Sequence, residues 1–402
     1  MFRVKNIIRT FTKGAVVKSL LAPFALITVL MMRFFAPLIQ FRVFQVYKHR
    51  IGHFALETEL VALNSKYILQ KDKKAITIYY FPDSPPANKQ LDIMFRRKLY
   101  CVSGSWGLLI NEMSKLFKNM NISSQRTHVD YHGLLIERPQ ILDFTTEELT
   151  HPDIKRLNLE LSSKFVCLHV RDSVYASIFF KNPRHQLFRN CDVKTFVQAC
   201  EVLANMGYTV FRTGVIVEEK LISDNQKVVD YATNGMRTDF LDIYIAQAAS
   251  FVISTSSGWD NIATIFRRPI LKVNLLPVIT YDNLSLRCVI APKILCDMAS
   301  KKPLTLNQII NRGVAKHYET DEYADAGVEI RDLSSEELVE AVTEMAQRVE
   351  GTFVETPEQK EMQAKLKHIL STHPKLQPTP NYYPIRAEFA SCFLSRYPNF
   401  LD

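Results

Sequence analysis

The sequence predicts an α/β protein built on parallel sheets, and three observations support this class. Short apolar runs, such as residues 164–170 and 251–253, have the composition of strands buried on both faces. Segments with helical spacing alternate with these runs, which is typical of parallel strands joined by right-handed crossovers. The length of 402 residues exceeds that of one ordinary core, so we expect more than one domain.

A first α/β unit is predicted to begin at residue 42. Its strands alternate in polarity and its helices repeat apolar residues every three to four positions. Residues 120–160 are polar and irregular, so we expect a domain junction there. The predicted strands are 42–47, 76–81 and 99–103, and the predicted helices are 54–63 and 106–117.

A second unit is predicted to open with the strand at 164–170. The capping box that begins at Ser334 starts its last helix. The predicted strands are 164–170, 209–211, 228–230, 251–253 and 270–273, and the predicted helices are 192–206, 239–249, 258–267 and 334–349. We therefore divide the chain into a segment 1–41, domains 42–150 and 151–351, and a tail 352–402. The proline-rich tail is expected to pack back on the first domain.

The N-terminal segment is basic and apolar. Residues 1–56 hold nine Lys and Arg and no acid, and the first acidic residue of the chain is Glu57. The uncharged stretch Ser19–Met32 is shorter than the roughly 20 residues of a membrane span, and no cleavage site of a secretory signal follows it. We expect a helix lying on an anionic membrane surface, with a buried N-terminal helix as the alternative. Because aliphatic side chains separate the basic ones, we expect no nucleic acid partner.

The seven cysteines include no CxxC pair and no cluster with zinc-ligand spacing. Several of them, such as Cys167 and Cys200, lie inside apolar runs. This pattern predicts reduced, buried thiols and indicates no metal site.

The first candidate site is the end of the strand at 164–170. His169, Arg171 and Asp172 follow its apolar residues, where parallel sheets place their ligands. A guanidinium suits a phosphate, and an imidazole donates a proton or a hydrogen bond to one. The alternative is a strand end whose polar residues only face water.

The second candidate is a run of small residues that ends the strand at 251–253. The run contains Ser254, Ser256 and Ser257, and it leads into the predicted helix 258–267, which begins at Gly258 and contains Asn261. Backbone amides at a helix start attract anions, so we expect a phosphate or sugar there. The alternative is that the hydroxyls only cap the helix.

Three weaker candidates remain. Arg212 and Gly214 end another strand, and Arg212 is placed to hold a diphosphate, unless it is a surface side chain at a turn. His53 follows a strand and precedes a helix, which suits a base, although a lone histidine is more often structural. The third candidate is formed by Asp230, Arg237 and Asp239, with Asp239 as a helix cap in the alternative.

Several motifs are absent from the sequence. It has no Asp-x-Asp pair to hold a metal-bound nucleoside diphosphate, and no GxxxxGK[ST] phosphate loop. It also lacks the GxGxxG of dinucleotide-binding proteins and the GxSxG of α/β hydrolases.

The chain resembles a bacterial family of glycosyltransferases associated with surface-polysaccharide genes. The resemblance covers roughly residues 42–350, and the pair His169-x-Arg171 is also similar to the first motif of the fucosyltransferase superfamily. The segments that carry it are Arg50–His53, Cys167–Ser173, Arg212–Gly214, Asp230–Ala232, Arg237–Asp242 and Ser254–Gly258.

This resemblance implies two Rossmann-like domains that face a cleft, the GT-B arrangement. The second domain would bind a nucleotide sugar and the first a glycan or lipid-linked acceptor. Transfer would be inverting and need no metal or other cofactor, with His53 or Asp172 as base. The predicted catalytic set is His53, His169, Arg171 and Asp172, and the predicted donor-binding set is Arg212, Gly214, Asp230, Arg237, Asp239, Ser254, Ser256, Ser257, Gly258 and Asn261.

With the basic N-terminus, the resemblance places the enzyme at the cytoplasmic face of the inner membrane, as a peripheral or monotopic protein. Two alternatives stay open. One is a sugar-nucleotide epimerase or hydrolase on the same fold, and the other is a non-catalytic, membrane-tethered glycan-binding subunit.

Overall fold

The computed structural model describes residues 20–70, 74–117, 122–124, 126–157, 164–179, 186–317, 319–376 and 385–402. The chain forms two compact α/β units. The first contains the chain up to His128 together with Arg138–Asp143, and the second contains Val129–Glu137 and Phe144–Asp402. The predicted α/β class with parallel sheets is confirmed.

The first unit is built on a three-stranded parallel sheet of order β1-β2-β3. On the other side of β1, Ser123 forms a parallel bridge with Val43. The chain therefore leaves β1 toward β2 on one side and returns beside β1 on the other. The elements of this unit are α1 (20–35), β1 (Ile39–Gln45), α2 (Ile51–Tyr67), β2 (Lys74–Phe81), α3 (Lys89–Lys98), β3 (Cys101–Ser103) and α4 (Gly104–Ser114).

Helix α2 is the central helix of the first unit. Twelve of its 17 residues are buried, including the acids Glu57 and Glu59. The sequence predicted only residues 54–63 as helix. A helix that is buried on nearly all sides has no polar face, so its ends carry little periodic signal.

Helix α1 has two apolar faces. Ala25, Val29 and Met32 belong to a buried cluster with β1, β2 and α4. The opposite face carries a stripe of large apolar side chains whose exposed fractions run from 52% to 75%. This exposed stripe consists of Leu20, Phe24, Ile27, Met31 and Phe34.

The buried face of α1 agrees with the alternative of a buried N-terminal helix, and contact of the exposed stripe with a membrane stays a prediction. Residues 1–19, which hold five of the basic residues, lie outside the described part of the chain. Among the described helices, none combines the length and the apolar character that crossing a bilayer requires.

The second unit is built on a seven-stranded sheet of order β12-β9-β8-β7-β4-β5-β6, and all of its strand pairs are parallel. The six strands from one edge, in the spatial order β6-β5-β4-β7-β8-β9, have the strand order of doubly wound nucleotide-binding folds. The sheet strands are β4 (Phe165–His169), β5 (Thr209–Thr213), β6 (Val228–Val229), β7 (Phe251–Ser254), β8 (Ile270–Leu275), β9 (Val289–Pro292) and β12 (Glu388–Phe389), and a separate antiparallel pair is formed by β10 (Ile294–Asp297) and β11 (Val328–Arg331).

Helices surround this sheet, and α9 and α15 pack against each other on one face. The predicted capping box of α15 is present, because Ser334 and Glu337 each accept a hydrogen bond from the other's amide. The helices of the unit are α5 (Leu134–Glu137), α6 (Thr146–Leu149), α7 (Pro152–Lys155), α8 (Val174–Phe179), α9 (Val197–Asn205), α10 (Asp239–Ala248), α11 (Asp260–Ile265), α12 (Tyr281–Leu284), α13 (Leu306–Asn311), α14 (Thr320–Asp325), α15 (Ser335–Glu350), α16 (Pro357–Thr372) and α17 (Ser391–Arg396).

The tail contradicts the prediction that it packs back on the first domain. Strand β12 pairs with β9, and the Gln363 side chain of α16 accepts a hydrogen bond from the Phe389 amide at 3.2 Å. The described tail therefore belongs to the second unit. These pairings join residues far apart in sequence, so no local pattern contains them.

The division predicted at residue 150 is also displaced. Residues 20–41 belong to the first unit and residues 129–137 to the second. Arg386 donates to the Asp130 carbonyl at 2.6 Å, and the Asp130 amide donates to the Ser285 hydroxyl at 3.3 Å. Tertiary hydrogen bonds therefore set this boundary.

Two adjacent methionines test the packing of α1. Met32 is 5% exposed in the core of the first unit, whereas Met31 is 52% exposed on the stripe. We expect Met32→Ala to lower the free energy of unfolding by about 2 to 4 kcal/mol, because it leaves a cavity. Met31→Ala should change it by less than about 0.5 kcal/mol. Urea denaturation followed by circular dichroism measures both, and equal effects would contradict this packing.

Candidate functional site

The carboxyl ends of β4 and β7 form the switch point of the large sheet, where connections leave toward opposite sides. Ligands bind in the crevice at such points in doubly wound folds. The Thr255 amide donates to the His169 carbonyl at 3.1 Å, and the Thr255 hydroxyl accepts from the Arg171 amide at 2.8 Å. The two sequence segments that we predicted separately therefore meet here.

Two arginines lie together at this switch point. The Arg171 Nη1 donates to the Gln186 carbonyl at 2.5 Å, and the Arg189 Nη1 donates to the Gln186 Oε1 at 2.7 Å. Arg189 also donates to the carbonyl of Ser256. Burial and the neighbouring charge of Arg189 lower the pKa of Arg171 to about 10. Like charges held together in this way favour an anion.

Arg171 forms no ion pair with a carboxylate of the described residues, so its charge is available to a ligand. Sequence reasoning missed Arg189, which ends a short 3₁₀ helix (Leu187–Arg189) before α9 and has no neighbouring motif. It lies 18 residues after Arg171, so no short-range spacing connects the two arginines.

His169 lies in the same crevice as a neutral group. Its ring stacks on Trp259 at 5.4 Å between centroids, and its Nδ1 lies 3.0 Å from the Thr213 hydroxyl. Burial, helped by the charge of Arg212 and opposed by Asp260, lowers the pKa of His169 to about 4. His169 is therefore unsuited to donating a proton near neutral pH. The Trp259 Nε1 is buried without a partner among the described residues.

Asp172 holds a loop in place. Its Oδ1 accepts from the Val174 amide at 3.1 Å, and its Oδ2 accepts from the Glu218 amide at 2.8 Å. Both oxygens are thus engaged by backbone donors, which favours a structural role over the predicted role as base.

Arg212 is 1% exposed and pairs with Asp230 at 3.3 Å. Asp230 also accepts from the Leu221 amide at 3.1 Å and from the Thr233 hydroxyl at 2.7 Å. The pair therefore fixes the loops after β5 and β6. Position 214 requires glycine because a Cβ there would come within 2.5 Å of the Val217 side chain.

A cavity of about 180 Å³ adjoins Arg212. Four of its eight lining residues are acidic, so a diphosphate would be repelled there. The cavity instead suits a ligand with hydroxyl groups. Its lining consists of Val170, Asp172, Cys191, Asp192, Val193, Arg212, Glu218 and Glu219.

Arg237 belongs to an ion cluster at the start of α10. Its Nη2 donates to Asp242 at 2.7 Å and lies 3.6 Å from Asp239. Burial raises the pKa of Asp242 to about 6, against the lowering effect of Arg237. Thr238, rather than Asp239, caps the helix through the Leu241 amide. The cluster therefore orders the segment before α10.

The hydroxyl run at 254–257 mainly satisfies its own turn. Ser254 accepts from the amides of Ser256 and Ser257 at 3.1 and 3.4 Å, and the Ser257 hydroxyl accepts from the Trp259 amide. Ser256 has a φ of +61°, so the turn is tight. Helix α11 begins at Asp260, after Gly258, and has only six residues including Asn261. The predicted helix 258–267 is therefore too long. These hydroxyls stabilise the turn before α11, and no side chain caps the helix itself.

A second candidate site lies within the first unit. Glu57 of α2 is fully buried, and its Oε1 lies 2.7 Å from His53 Nδ1 and 3.1 Å from His128 Nε2. Arg126 donates to both carboxylate oxygens, through Nε at 2.7 Å and Nη2 at 2.8 Å. Burial raises the pKa of Glu57, but the hydrogen bonds from His53 and Arg126 outweigh it, so the pKa is lowered.

Sequence reasoning identified His53 and missed its three partners. The spacing of four residues between His53 and Glu57 on one helix was the available signal. The ligand-type atoms of His53, Glu57 and His128 lie within 4.8 Å of one another. Arg126 already supplies a cation to the carboxylate, so the cluster is balanced without a metal ion.

No protein-family model matches the chain, and no curated protein matches its sequence. Similar solved structures include E. coli ADP-heptose lipopolysaccharide heptosyltransferase II, with 11% identity, 77% of this chain and 99% of that chain covered, and a TM-score of 0.40. A family 9 glycosyl transferase from Veillonella parvula has 10% identity, coverage of 77% and 98%, and a TM-score of 0.43. E. coli heptosyltransferase WaaC with ADP has 10% identity, coverage of 71% and 99%, and a TM-score of 0.28. Because these scores are below 0.5, we base the function on the geometry of the sites.

The neutral state of His169 predicts a pH dependence of stability. In the folded chain the pKa of His169 is about 4, against an ordinary value of 6.5. The contribution of neutral His169 to the free energy of unfolding is therefore present above pH 6.5 and is lost as the pH falls toward 4. At pH 5 the loss should be about 2 kcal/mol.

His169→Asn keeps a polar atom near Thr213 but does not titrate. We expect its urea midpoint to fall less between pH 7 and pH 5 than that of the wild type. Parallel falls in the two proteins would show that His169 titrates normally.

Proposed function

We propose that the chain is a glycosyltransferase that transfers a sugar from a nucleoside diphosphate sugar to a glycan acceptor. The observation that carries this proposal is the pair Arg171 and Arg189 at the switch point of a doubly wound sheet. A guanidinium holds phosphate oxygens bidentately. The hydroxyl-compatible cavity beside Arg212 supports a sugar or ribose in the same unit.

The reaction explains why cations belong at this position. As the bond between the anomeric carbon and the diphosphate breaks, negative charge develops on the leaving oxygen. Fixed donors that meet this charge lower the barrier, because they need no reorganisation during the reaction. We infer that the two arginines perform this task in an inverting transfer that needs no metal.

The exposed stripe of α1 supports a membrane-associated acceptor. Contiguous exposed apolar side chains mark interaction surfaces, and five basic residues precede the stripe in the sequence. An apolar stripe that follows basic residues in the sequence suits a leaflet of anionic lipid. We therefore propose that the enzyme lies on the cytoplasmic face of the inner membrane, with a lipid-linked or polymeric surface glycan as acceptor.

Arg171→Ala tests the donor site. We expect loss of transfer by about 100-fold or more, because one electrostatic donor to the leaving group is removed. Mass spectrometry of products from a panel of nucleoside diphosphate sugars measures this. Arg287→Ala is the matched control, since Arg287 is exposed in the same unit.

Wild-type turnover by Arg171→Ala would refute the donor site. A changed sugar or free sugar formed without acceptor would instead assign an epimerase or hydrolase. Absence of nucleotide-sugar binding by calorimetry, together with absence of any product, would assign a non-catalytic glycan-binding subunit.

The double variant Phe24→Glu/Phe34→Glu tests the membrane surface. We expect binding to vesicles of equimolar phosphatidylcholine and phosphatidylglycerol to fall at least tenfold, because two charges would enter the apolar layer. Vesicle flotation measures the bound fraction. Ile222→Glu is the control, since Ile222 is 76% exposed in the second unit. Equal binding by all proteins would exclude α1 as the membrane contact.

A further inference from the structure

We infer that Glu57 is a positioning residue that holds His53 as the base for the acceptor hydroxyl. This inference rests on the proposed glycosyl transfer and concerns only the first unit. It chooses between the two bases that the sequence allowed, and it adds a buried carboxylate that the sequence did not reveal.

His53 lies where a doubly wound sheet places a ligand. It is the third residue of α2, directly after β1. Arg126 and His128 follow the segment at 122–124, which bridges β1 from the other side. The cluster therefore lies at the switch point of the first sheet, at the carboxyl end of β1. His53 is 28% exposed there, so a ligand can reach its ring.

The short contact with Glu57 determines which ring nitrogen of His53 carries a proton. His53 Nδ1 lies 2.7 Å from a Glu57 oxygen and 3.2 Å from the Arg126 Nη2. A carboxylate oxygen at that distance requires a proton on Nδ1, since two lone pairs would repel. In the neutral ring the lone pair is then on Nε2. Nε2 forms no hydrogen bond with any described residue and is free to accept a proton.

Glu57 is suited to fixing this tautomer. It is fully buried, and the two hydrogen bonds from Arg126 compensate the cost of burying its charge. Arg126 is itself held 3.9 Å above the Tyr47 ring. A carboxylate that is rigid and ionised orients an imidazole and stabilises it when it becomes protonated. Asp172, the other predicted base, has both oxygens engaged by amides.

The proposed step balances in atoms and charge. The acceptor oxygen forms a bond to the anomeric carbon and gives its proton to His53 Nε2. The bond from that carbon to the diphosphate breaks, and its electron pair leaves with the nucleoside diphosphate. The imidazolium, with Nδ1–H still directed at Glu57, then releases the Nε2 proton to water.

Among the residues that the structure describes, the titratable and charged groups that face His53 are Tyr47 after β1, Glu57 on α2, and Arg126 and His128 after the 122–124 segment. Of these, only Glu57 is acidic at neutral pH. Its removal should therefore make a protonated His53 less stable.

His53→Ala is the first test. We expect transfer to fall by about 100-fold or more, as for loss of a general base, with nucleotide-sugar binding by calorimetry unchanged. Added imidazole should restore part of the activity, which a merely structural role would not predict. The control is His49→Ala, because His49 is an exposed imidazole at the same sheet edge with Ser84 as its hydrogen-bonding partner.

Glu57→Gln is the second test. We expect reduced kcat, with the acid limb of the pH–rate profile moved to lower pH because the nearby negative charge is gone. Nitrogen NMR of labelled histidine should report the Nδ1-protonated tautomer of His53 in the wild type and less of it in the variant. If Glu57→Gln does not fold, the rescue of His53→Ala and the wild-type tautomer carry the test.

Three results would overturn the inference. They are full transfer activity of His53→Ala, an Nε2-protonated His53 in the wild type, and loss of activity in His128→Ala but not in His53→Ala. Each of these results would contradict the roles inferred for His53 and Glu57 without contradicting the proposed glycosyl transfer. Failure of the proposed function would appear differently, as absence of transfer by the wild-type protein with every donor tested.

Discussion

Both candidate sites depend on one constraint of parallel sheets. Parallel strands place their carboxyl ends along one edge, and a switch in the direction of the connections opens a crevice between two adjacent strands. In the second unit the crevice lies beside His169, Arg171 and Ser254, and in the first unit it lies beside His53 and the 122–124 segment. Polar side chains collect at these two positions because helices cover the faces of the sheets.

Electrostatics assigns different tasks to the two crevices. In the second unit, Arg171 and Arg189 raise the positive potential of a partly buried place, which favours an anionic ligand. In the first unit, Arg126 and two imidazoles surround the buried Glu57, so charge is balanced within the protein. A cluster with balanced charge suits orientation and proton transfer, whereas Arg171, which forms no ion pair with a carboxylate of the described residues, suits binding of a diphosphate.

Much of the fold was predictable because its signals are local. The strand at Phe165–His169, the capping box of α15 and the alternation of strands and helices each follow from neighbouring residues. Arg171 was predictable in the same way, since a charge after a buried strand is visible in the sequence. The contacts of Arg189 with Ser256 and of Glu57 with Arg126 and His128 were not, because they join segments that are distant in the sequence.

The sequence by itself determined the α/β class, the basic and apolar N-terminus, and the polar residues that end β4 and β7. These follow from composition and period, which are properties of adjacent residues. Only the tertiary structure decided that the tail completes the large sheet, that Arg212 is neutralised by Asp230, and that Glu57 meets Arg126 and His128. The physical reason is that burial and pairing of charges depend on which distant segments pack together, and that choice is made by the whole fold.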